Sequence, residues 1–213
     1  MSLQDITACI ENGKSKQIEE LINAALEEGI EPGKILTEGM IAAMANVGDR
    51  FQAGEAFVPE MLLAAKAMKK GVKVLKPHLA SDALGSLGKF IIGTVEGDLH
   101  DIGKNLVAMM IESAGFEVID LGVDVSADAF VQALNENPDC KIVGLSSLLT
   151  TTMPSMKSAV EAIRAMPNGN EIIIMVGGAP VSQEFCDEIG ANYYTTDAGA
   201  AAVKAKEIAQ SIA

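Results

Sequence analysis

The sequence has few cysteines and no long apolar run, and these two shortages argue against particular classes of protein. Its three cysteines, Cys9, Cys140 and Cys186, are far apart and form no Cys-x-x-Cys pair, so neither a disulfide framework nor a thiolate zinc site is predicted. No apolar stretch approaches the roughly 18 residues of a membrane-spanning helix, and the N terminus lacks the charged and then apolar pattern of a leader. We therefore expect a soluble, cytoplasmic protein without a membrane partner.

Positive charge is also scarce. The 213 residues include 16 Lys and Arg against 29 Asp and Glu, which gives a formal net charge of −13. Because proteins bind nucleic-acid phosphates through concentrated positive surface, this balance argues against a nucleic-acid partner. Hydrophobic residues make up 49% of the chain, which is enough for a substantial core.

The first part of the chain, residues 1–79, has the apolar spacing of helices. Apolar side chains recur at intervals of three and four residues, Gly29 marks a helix end, and Pro32 and Pro59 mark helix starts. This pattern predicts a four-helix bundle. The segment Pro77–Gly88 loses the helical period and contains several serines and glycines, so it is predicted to be a linker.

The second part, residues 87–213, alternates short apolar runs with helical stretches. Such alternation predicts right-handed crossovers and a parallel sheet covered on both faces. We therefore expect a flavodoxin-like, Rossmann-type doubly wound sheet with strand order 2-1-3-4-5. The five predicted strands are Phe90–Thr94, Glu117–Leu121, Ile142–Leu145, Ile172–Val176 and Tyr193–Thr195.

Polar motifs follow three of these strands. Asp98-x-His100-x-x-Gly103 follows the first strand, a segment that begins at Ser146 follows the third, and Gly177-Gly178 follows the fourth. In sheets of this order, ligands bind beyond the carboxyl ends of the strands, where the strand order reverses. A histidine that binds a metal generally donates its second ring N–H to a carboxylate, and Asp98 is suitably placed for that role.

Each motif taken alone has an ordinary structural interpretation. His100 could be a residue at a helix N terminus whose ring bonds to Asp98 or Asp101. Ser146 could be a helix N-cap, and Gly177-Gly178 could be a simple turn between a strand and a helix. The occurrence of all three motifs at one crevice favours a binding site.

The three motifs resemble the cobalamin-binding module of corrinoid-dependent methyltransferases, such as that of methionine synthase. That module carries Asp-x-His-x-x-Gly, Ser-x-Leu and Gly-Gly in this order, and here 42 residues separate Gly103 from Ser146. Upstream, Val47-Gly48-x-x-Phe51 and Phe57-Val58-Pro59 resemble the family's helical cap. The whole chain is similar in organisation to the stand-alone corrinoid proteins of methanol, methylamine and betaine methyltransferase systems.

The resemblance implies a helical bundle cap over residues 1–86 and a cobalamin-binding α/β domain over residues 87–213. Cobalamin would bind base-off, with its own benzimidazole displaced and His100 as the lower axial ligand of cobalt. Asp98 would bond the other imidazole nitrogen, and Ser146 would contact Asp98. The resemblance further implies that the cofactor is contacted by Gly97, Asp101, Ile102, Gly103, Ser146, Leu148, Thr150, Gly177 and Gly178, and that Phe51 and Val58 of the cap lie near the upper axial methyl group.

The implied function is that of a methyl carrier. A substrate-specific methyltransferase would load a methyl group from an amine, betaine or methanol onto cob(I)alamin, giving methylcobalamin, and a second would pass it to tetrahydrofolate or a thiol. A reductive activation protein is a further implied partner, and without its partners the chain is not expected to catalyse a reaction. The alternatives are the small cobalamin-binding subunit of an adenosylcobalamin-dependent mutase and, as a third candidate, a cobalamin-binding sensor.

Overall fold

The computed structural model describes residues 2–79 and 87–212, and the chain divides into two compact units with the main boundary after residue 86. The first unit is helical and the second combines helices with a parallel sheet, which confirms the predicted fold class. Most of the predicted linker, Pro77–Gly88, lies outside the described residues. None of the helices in the two described ranges combines the length and the hydropathy of a membrane span.

The helical unit contains four helical runs, and the third changes its pitch along its length. A π-helical segment, Ile35–Ile41, joins two α-helices without a break. The side chains that fill the interior include Ile6, Ile22, Met40 and Met61, which are fully or almost fully buried. The elements are α1 (Leu3–Glu11), α2 (Ile18–Glu27), α3 (Pro32–Lys34), the π-helix, α4 (Ala42–Gln52), α5 (Val58–Leu75) and a 3₁₀ turn (Lys76–His78).

The second unit contains a five-stranded, fully parallel sheet with the order β2-β1-β3-β4-β5. This order confirms the predicted topology and places the reversal of strand order between β1 and β3. The observed strands end within one residue of the predicted ones. They are β1 (Lys89–Thr94), β2 (Glu117–Asp120), β3 (Ile142–Ser146), β4 (Ile173–Gly177) and β5 (Tyr193–Tyr194).

Five α-helices follow the strands and cover the sheet. Alternate residues of the central strands, including Ile91, Val143 and Ile174, pack in one buried cluster with Phe130 and Val160 from two of these helices. Period-two alternation of this kind is what places one set of strand side chains against each helical layer. The helices are α6 (Ile102–Ser113), α7 (Ala127–Glu136), α8 (Met153–Arg164), α9 (Gln183–Ile189) and α10 (Ala198–Ile212).

Candidate functional site

The sheet register places the ends of three strands side by side. Thr94 at the end of β1 pairs with Ser146 at the end of β3, and Ser146 pairs with Gly177 at the end of β4. The chain segments that follow these residues are the three motif segments found in the sequence. They therefore start from adjacent positions at the carboxyl edge of the sheet, as the topology predicts.

The first of these segments holds His100 against a buried carboxylate. The His100 backbone N–H donates to Asp98 Oδ1 over 3.0 Å, and the His100 ring Nδ1 lies 2.8 Å from the same oxygen. The Asp98 side chain is fully buried, whereas 52% of the His100 side chain is exposed. Because an ionised carboxylate can only accept hydrogen bonds, Nδ1 is the donor to Asp98, and in the neutral imidazole Nε2 then has its lone pair available for a ligand.

The second oxygen of Asp98 receives hydrogen bonds from the segment after β3. The backbone N–H groups of Leu148 and Leu149 donate to Asp98 Oδ2 over 2.7 and 3.4 Å, and the Thr152 hydroxyl donates to it over 3.0 Å. The buried Ser147 hydroxyl lies 2.8 Å from the Thr152 hydroxyl. Both hydroxyls also lie within hydrogen-bond distance of the Leu149 carbonyl oxygen, Ser147 over 3.2 Å and Thr152 over 3.0 Å.

These contacts keep Asp98 ionised although it is buried. Burial by itself raises the pKa of a carboxyl group. Hydrogen bonds from the backbone N–H groups of Leu148 and His100, and then from the His100 ring and the Thr152 hydroxyl, outweigh that effect and hold the pKa of Asp98 well below its usual range. A charged, fully satisfied carboxylate thus fixes the orientation and tautomer of the imidazole.

Large apolar side chains are exposed around the imidazole. Leu99 and Ile102, on either side of His100 in the sequence, are 71% and 84% exposed, and Leu148 and Leu149 of the next segment are also exposed. A concentration of exposed apolar side chains is typical of a surface that a ligand covers. The site therefore combines one free imidazole nitrogen with an apolar surround.

Gly178 occupies a tight position behind these segments. Its φ is +126°, and a Cβ built on it would lie 1.8 Å from the carbonyl oxygen of Ser147. The Ser147 N–H donates in turn to the Gly177 carbonyl over 3.1 Å. The absence of a side chain at Gly178 thus allows the segment after β4 to pack directly on the segment that holds Asp98.

Residues 88–205 match the family described as "B12 binding domain", and residues 2–76 match a second family with the same description. The chain belongs to the B12-binding family.

The chain is also similar over most of its length to proteins named as corrinoid proteins. The chain is 41% identical over 208 residues to the dimethylamine corrinoid protein of Methanosarcina barkeri, covering 97% of this chain and 96% of that protein. It is 42% identical over 190 residues to the trimethylamine corrinoid protein of the same organism, covering 88% and 87%. Among solved structures, the methanol:cobalamin methyltransferase complex MtaBC from M. barkeri superposes with a TM-score of 0.84 at 27% identity, covering 97% of this chain and 77% of that one.

The residues around His100 would fit a corrinoid. One imidazole nitrogen could supply a single bond to a metal whose other positions are filled by a macrocycle. The exposed apolar side chains around His100 suit the broad face of such a ring. Gly103 is open to solvent, because a Cβ built there would meet no atom within 4 Å.

The predicted contact between Ser146 and Asp98 is wrong. In the part of the chain that the structure describes, the side-chain partner of Asp98 from this region is Thr152, six residues further along. Ser146 is still the last residue of β3, whereas Thr152 is brought back to Asp98 by the 3₁₀ turn Thr150–Thr152. Ser146 is also not a helix N-cap, since α8 begins only at Met153.

The other predicted cofactor contacts are distributed as follows. Asp101, Ile102 and Gly103 form an exposed stretch at the start of α6, and Thr150 is exposed at the start of the 3₁₀ turn. Gly97 has a φ of +82° in the turn before Asp98. Gly177 ends β4.

Two predicted contacts lie in the helical unit. Phe51 is in α4 and Val58 is the first residue of α5. Their predicted approach to the upper axial face stays a prediction.

Thr152 is the residue that the sequence-based prediction missed. It is one of three consecutive threonines, and nothing in the spacing separates it from Thr150 or Thr151. Only its burial, at 6% exposure, and its bond to Asp98 distinguish it.

We expect Thr152→Val, which keeps the shape and removes the hydroxyl, to lower the free energy of unfolding by about 1–3 kcal/mol, because Asp98 and Ser147 each lose a buried partner. Urea unfolding of the protein without cofactor measures this. Thr151→Val is the control, since Thr151 is exposed, and a loss of equal size in both variants would contradict the role of Thr152.

Proposed function

We propose that this chain is a corrinoid methyl carrier that holds cobalamin base-off with His100 as the lower axial ligand. The observation that carries the proposal is the His100 ring, whose Nδ1 is bound to the buried Asp98 and whose Nε2 remains available. The full-length similarity to methylamine corrinoid proteins supports the same function. When bound, cobalamin supplies the metal centre that takes up and releases the methyl group.

The chain's own residues would orient the ligand and hold its proton. Asp98 keeps the Nδ1 proton in place and increases the basicity of Nε2. Thr152 and the backbone N–H of Leu148 keep Asp98 charged, so the carboxylate does not compete for that proton. The exposed apolar side chains of Leu99 and Ile102 would exclude water from the face of the corrin ring that lies against His100.

The partners of the carrier are part of the proposal. One substrate-specific methyltransferase would load the methyl group, a second would transfer it to tetrahydrofolate or a thiol, and a reductive activation protein would restore the carrier. Because the relatives at 41% and 42% identity are named for dimethylamine and trimethylamine, a small methylated amine is the substrate class that we propose first. Methanol and betaine are the competing classes. A cytoplasmic location remains a prediction.

The experiment that tests this function begins with the protein reconstituted with hydroxocobalamin and reduced. Candidate methyltransferases are supplied with radiolabelled dimethylamine, trimethylamine, methanol or betaine, and label transferred to the protein-bound corrinoid is measured. We expect label from a methylated amine. Failure to bind the corrinoid would overturn the proposal. Activity only with adenosylcobalamin and a carbon-skeleton substrate would replace it by the mutase alternative, which the family match over residues 2–76 disfavours.

Gly103 allows cofactor binding to be separated from folding. We expect Gly103→Ala to leave the stability of the cofactor-free protein unchanged or raised by up to about 1 kcal/mol, because the new methyl group meets no protein atom and alanine favours a helix. The affinity for cobalamin is expected to fall about 10-fold, since the methyl group occupies space that the ligand would use. Urea unfolding and titration with hydroxocobalamin measure the two quantities.

Gly33 offers a matched control. Like Gly103, it is the second residue of a helix, it precedes a lysine, and a Cβ there meets no atom within 4 Å. Gly33→Ala should leave the cobalamin affinity unchanged. Equal affinities of the Gly103→Ala variant and the unmodified protein would exclude Gly103 from the cofactor site.

A further inference from the structure

The segment that follows β2 forms hydrogen bonds to the turn that carries Asp98 and leads to His100. The Asp124 carboxylate oxygen Oδ1 accepts a hydrogen bond of 2.7 Å from the Gly97 N–H. The Asp124 N–H donates over 3.0 Å to the carbonyl of Asp98 itself. Asp124 therefore bonds to the backbone of two consecutive residues, one of which carries the carboxylate that orients His100.

Asp124 has an unusual backbone conformation. Its φ is +55°, and among the described residues it is the non-glycine residue with a positive φ. Aspartate tolerates this left-handed region better than most residues, but glycine adopts it without strain. Gly122, two positions earlier, has a φ of +86° and shows that this segment uses glycine where only backbone freedom is needed. A non-glycine residue in this conformation raises the question of what its side chain does, and the bond to the Gly97 N–H is the contact that glycine could not make.

Neighbouring bonds fix this segment relative to the strand that leads into the site. The Thr94 N–H donates to the Gly122 carbonyl over 3.0 Å, and the Val125 N–H donates to the Thr94 carbonyl over 2.9 Å. The Thr94 hydroxyl donates to the His100 carbonyl over 2.9 Å. The segment 122–125 is thus bound to β1, and Asp124 extends this connection to the turn at Gly97 and Asp98.

We propose that Asp124 is a positioning residue for the metal ligand: its carboxylate, bound to the Gly97 N–H, holds the turn that presents Asp98 to His100. This inference rests on the proposed role of His100 as the axial ligand. Asp124 acts through the turn and not by contact with the cofactor. Its side chain is placed by a backbone conformation that glycine would also allow, so the carboxylate can be removed without disturbing the backbone.

The test uses two variants of the full chain. Asp124→Gly keeps the left-handed conformation and removes the acceptor, whereas Asp124→Asn keeps an acceptor oxygen and also tolerates a positive φ. In the cofactor-free protein, we expect the Gly97 amide to exchange with solvent at least about fivefold faster in Asp124→Gly, because a hydrogen bond is lost. The ¹⁵N resonances of the His100 ring should show a mixture of tautomers in place of one.

With hydroxocobalamin, the Asp124→Gly variant should bind about 10-fold more weakly and show a reduced fraction of the imidazole-ligated spectrum, as expected when the support of a ligand is removed. Asp124→Asn should restore both the Gly97 exchange rate and the spectrum. The proposal is overturned if Asp124→Gly keeps the exchange rate, ring resonances and spectrum of the unmodified protein, or if Asp124→Asn fails to restore them. The cofactor-free measurements are independent of the proposed function, whose failure would appear as absent corrinoid binding by the unmodified protein.

Discussion

Replacing His100 with alanine is expected to remove the imidazole-ligated spectrum of the bound corrinoid and to slow methyl transfer by more than about 100-fold. The loss of a residue that supports a metal ligand typically costs about 10- to 100-fold, and the ligand itself should cost more. Asp98 would also keep a buried charge that has lost its imidazole partner. Absorption spectra after reconstitution with hydroxocobalamin and the single-turnover rate with a methylated amine measure the two effects.

The second histidine provides the control for this experiment. His78 is exposed in the 3₁₀ turn Lys76–His78, and His78→Ala should retain the spectrum and the rate of the unmodified protein. Free imidazole added to the His100→Ala protein should restore part of the ligated spectrum, because it can occupy the space that the ring leaves. Identical spectra of the His100→Ala and unmodified proteins would exclude His100 as the axial ligand.

The sheet could be predicted in detail because its residues follow simple periods. Short apolar runs alternate with helical stretches, and this alternation determines a parallel sheet with right-handed crossovers. The observed order β2-β1-β3-β4-β5 is the one predicted, and β3 ends at Ser146, one residue beyond the prediction. The π-helical segment Ile35–Ile41 was not predicted, since its apolar side chains do not reveal which carbonyl each backbone N–H bonds.

The candidate site could be predicted where two residues are close in sequence, but not where a loop must fold back. Asp98 and His100 are two residues apart, and their hydrogen bond was expected from that spacing. The partner of Asp98 from the segment after β3 was assigned to Ser146, although Thr152 makes the contact. The direction of a side chain after the end of a strand depends on the turn that follows, and no periodicity specifies that turn.

Gly178 has a structural role that the resemblance did not imply. The predicted contact of Gly177 and Gly178 with the cofactor stays a prediction. The nearest neighbour of a Cβ at Gly178 is the carbonyl oxygen of Ser147. Gly178 is thus required by the protein itself, and the part of the site that holds Asp98 depends on it through Ser147 and Thr152.

Gly178→Ala is accordingly expected to lower the free energy of unfolding by more than about 3 kcal/mol. Two costs combine: a φ of +126° is strained for any residue with a side chain, and the new Cβ would lie 1.8 Å from the Ser147 oxygen. Relief of the overlap requires the backbone of one segment to move. Urea unfolding of the cofactor-free protein measures the loss, and cobalamin titration should show weaker binding because the moved segment bonds Asp98.

Gly190→Ala separates these two costs. Gly190 has a φ of +75° at the end of α9, and a Cβ there meets no atom within 4 Å. Its replacement should therefore cost about 1–2 kcal/mol from the backbone conformation alone, with no change in cobalamin affinity. If Gly178→Ala lowered the free energy of unfolding no more than Gly190→Ala does, the close approach of Gly178 to Ser147 would make no contribution to stability. The packing of the two segments would then not be what holds Ser147, and through it Thr152, against Asp98.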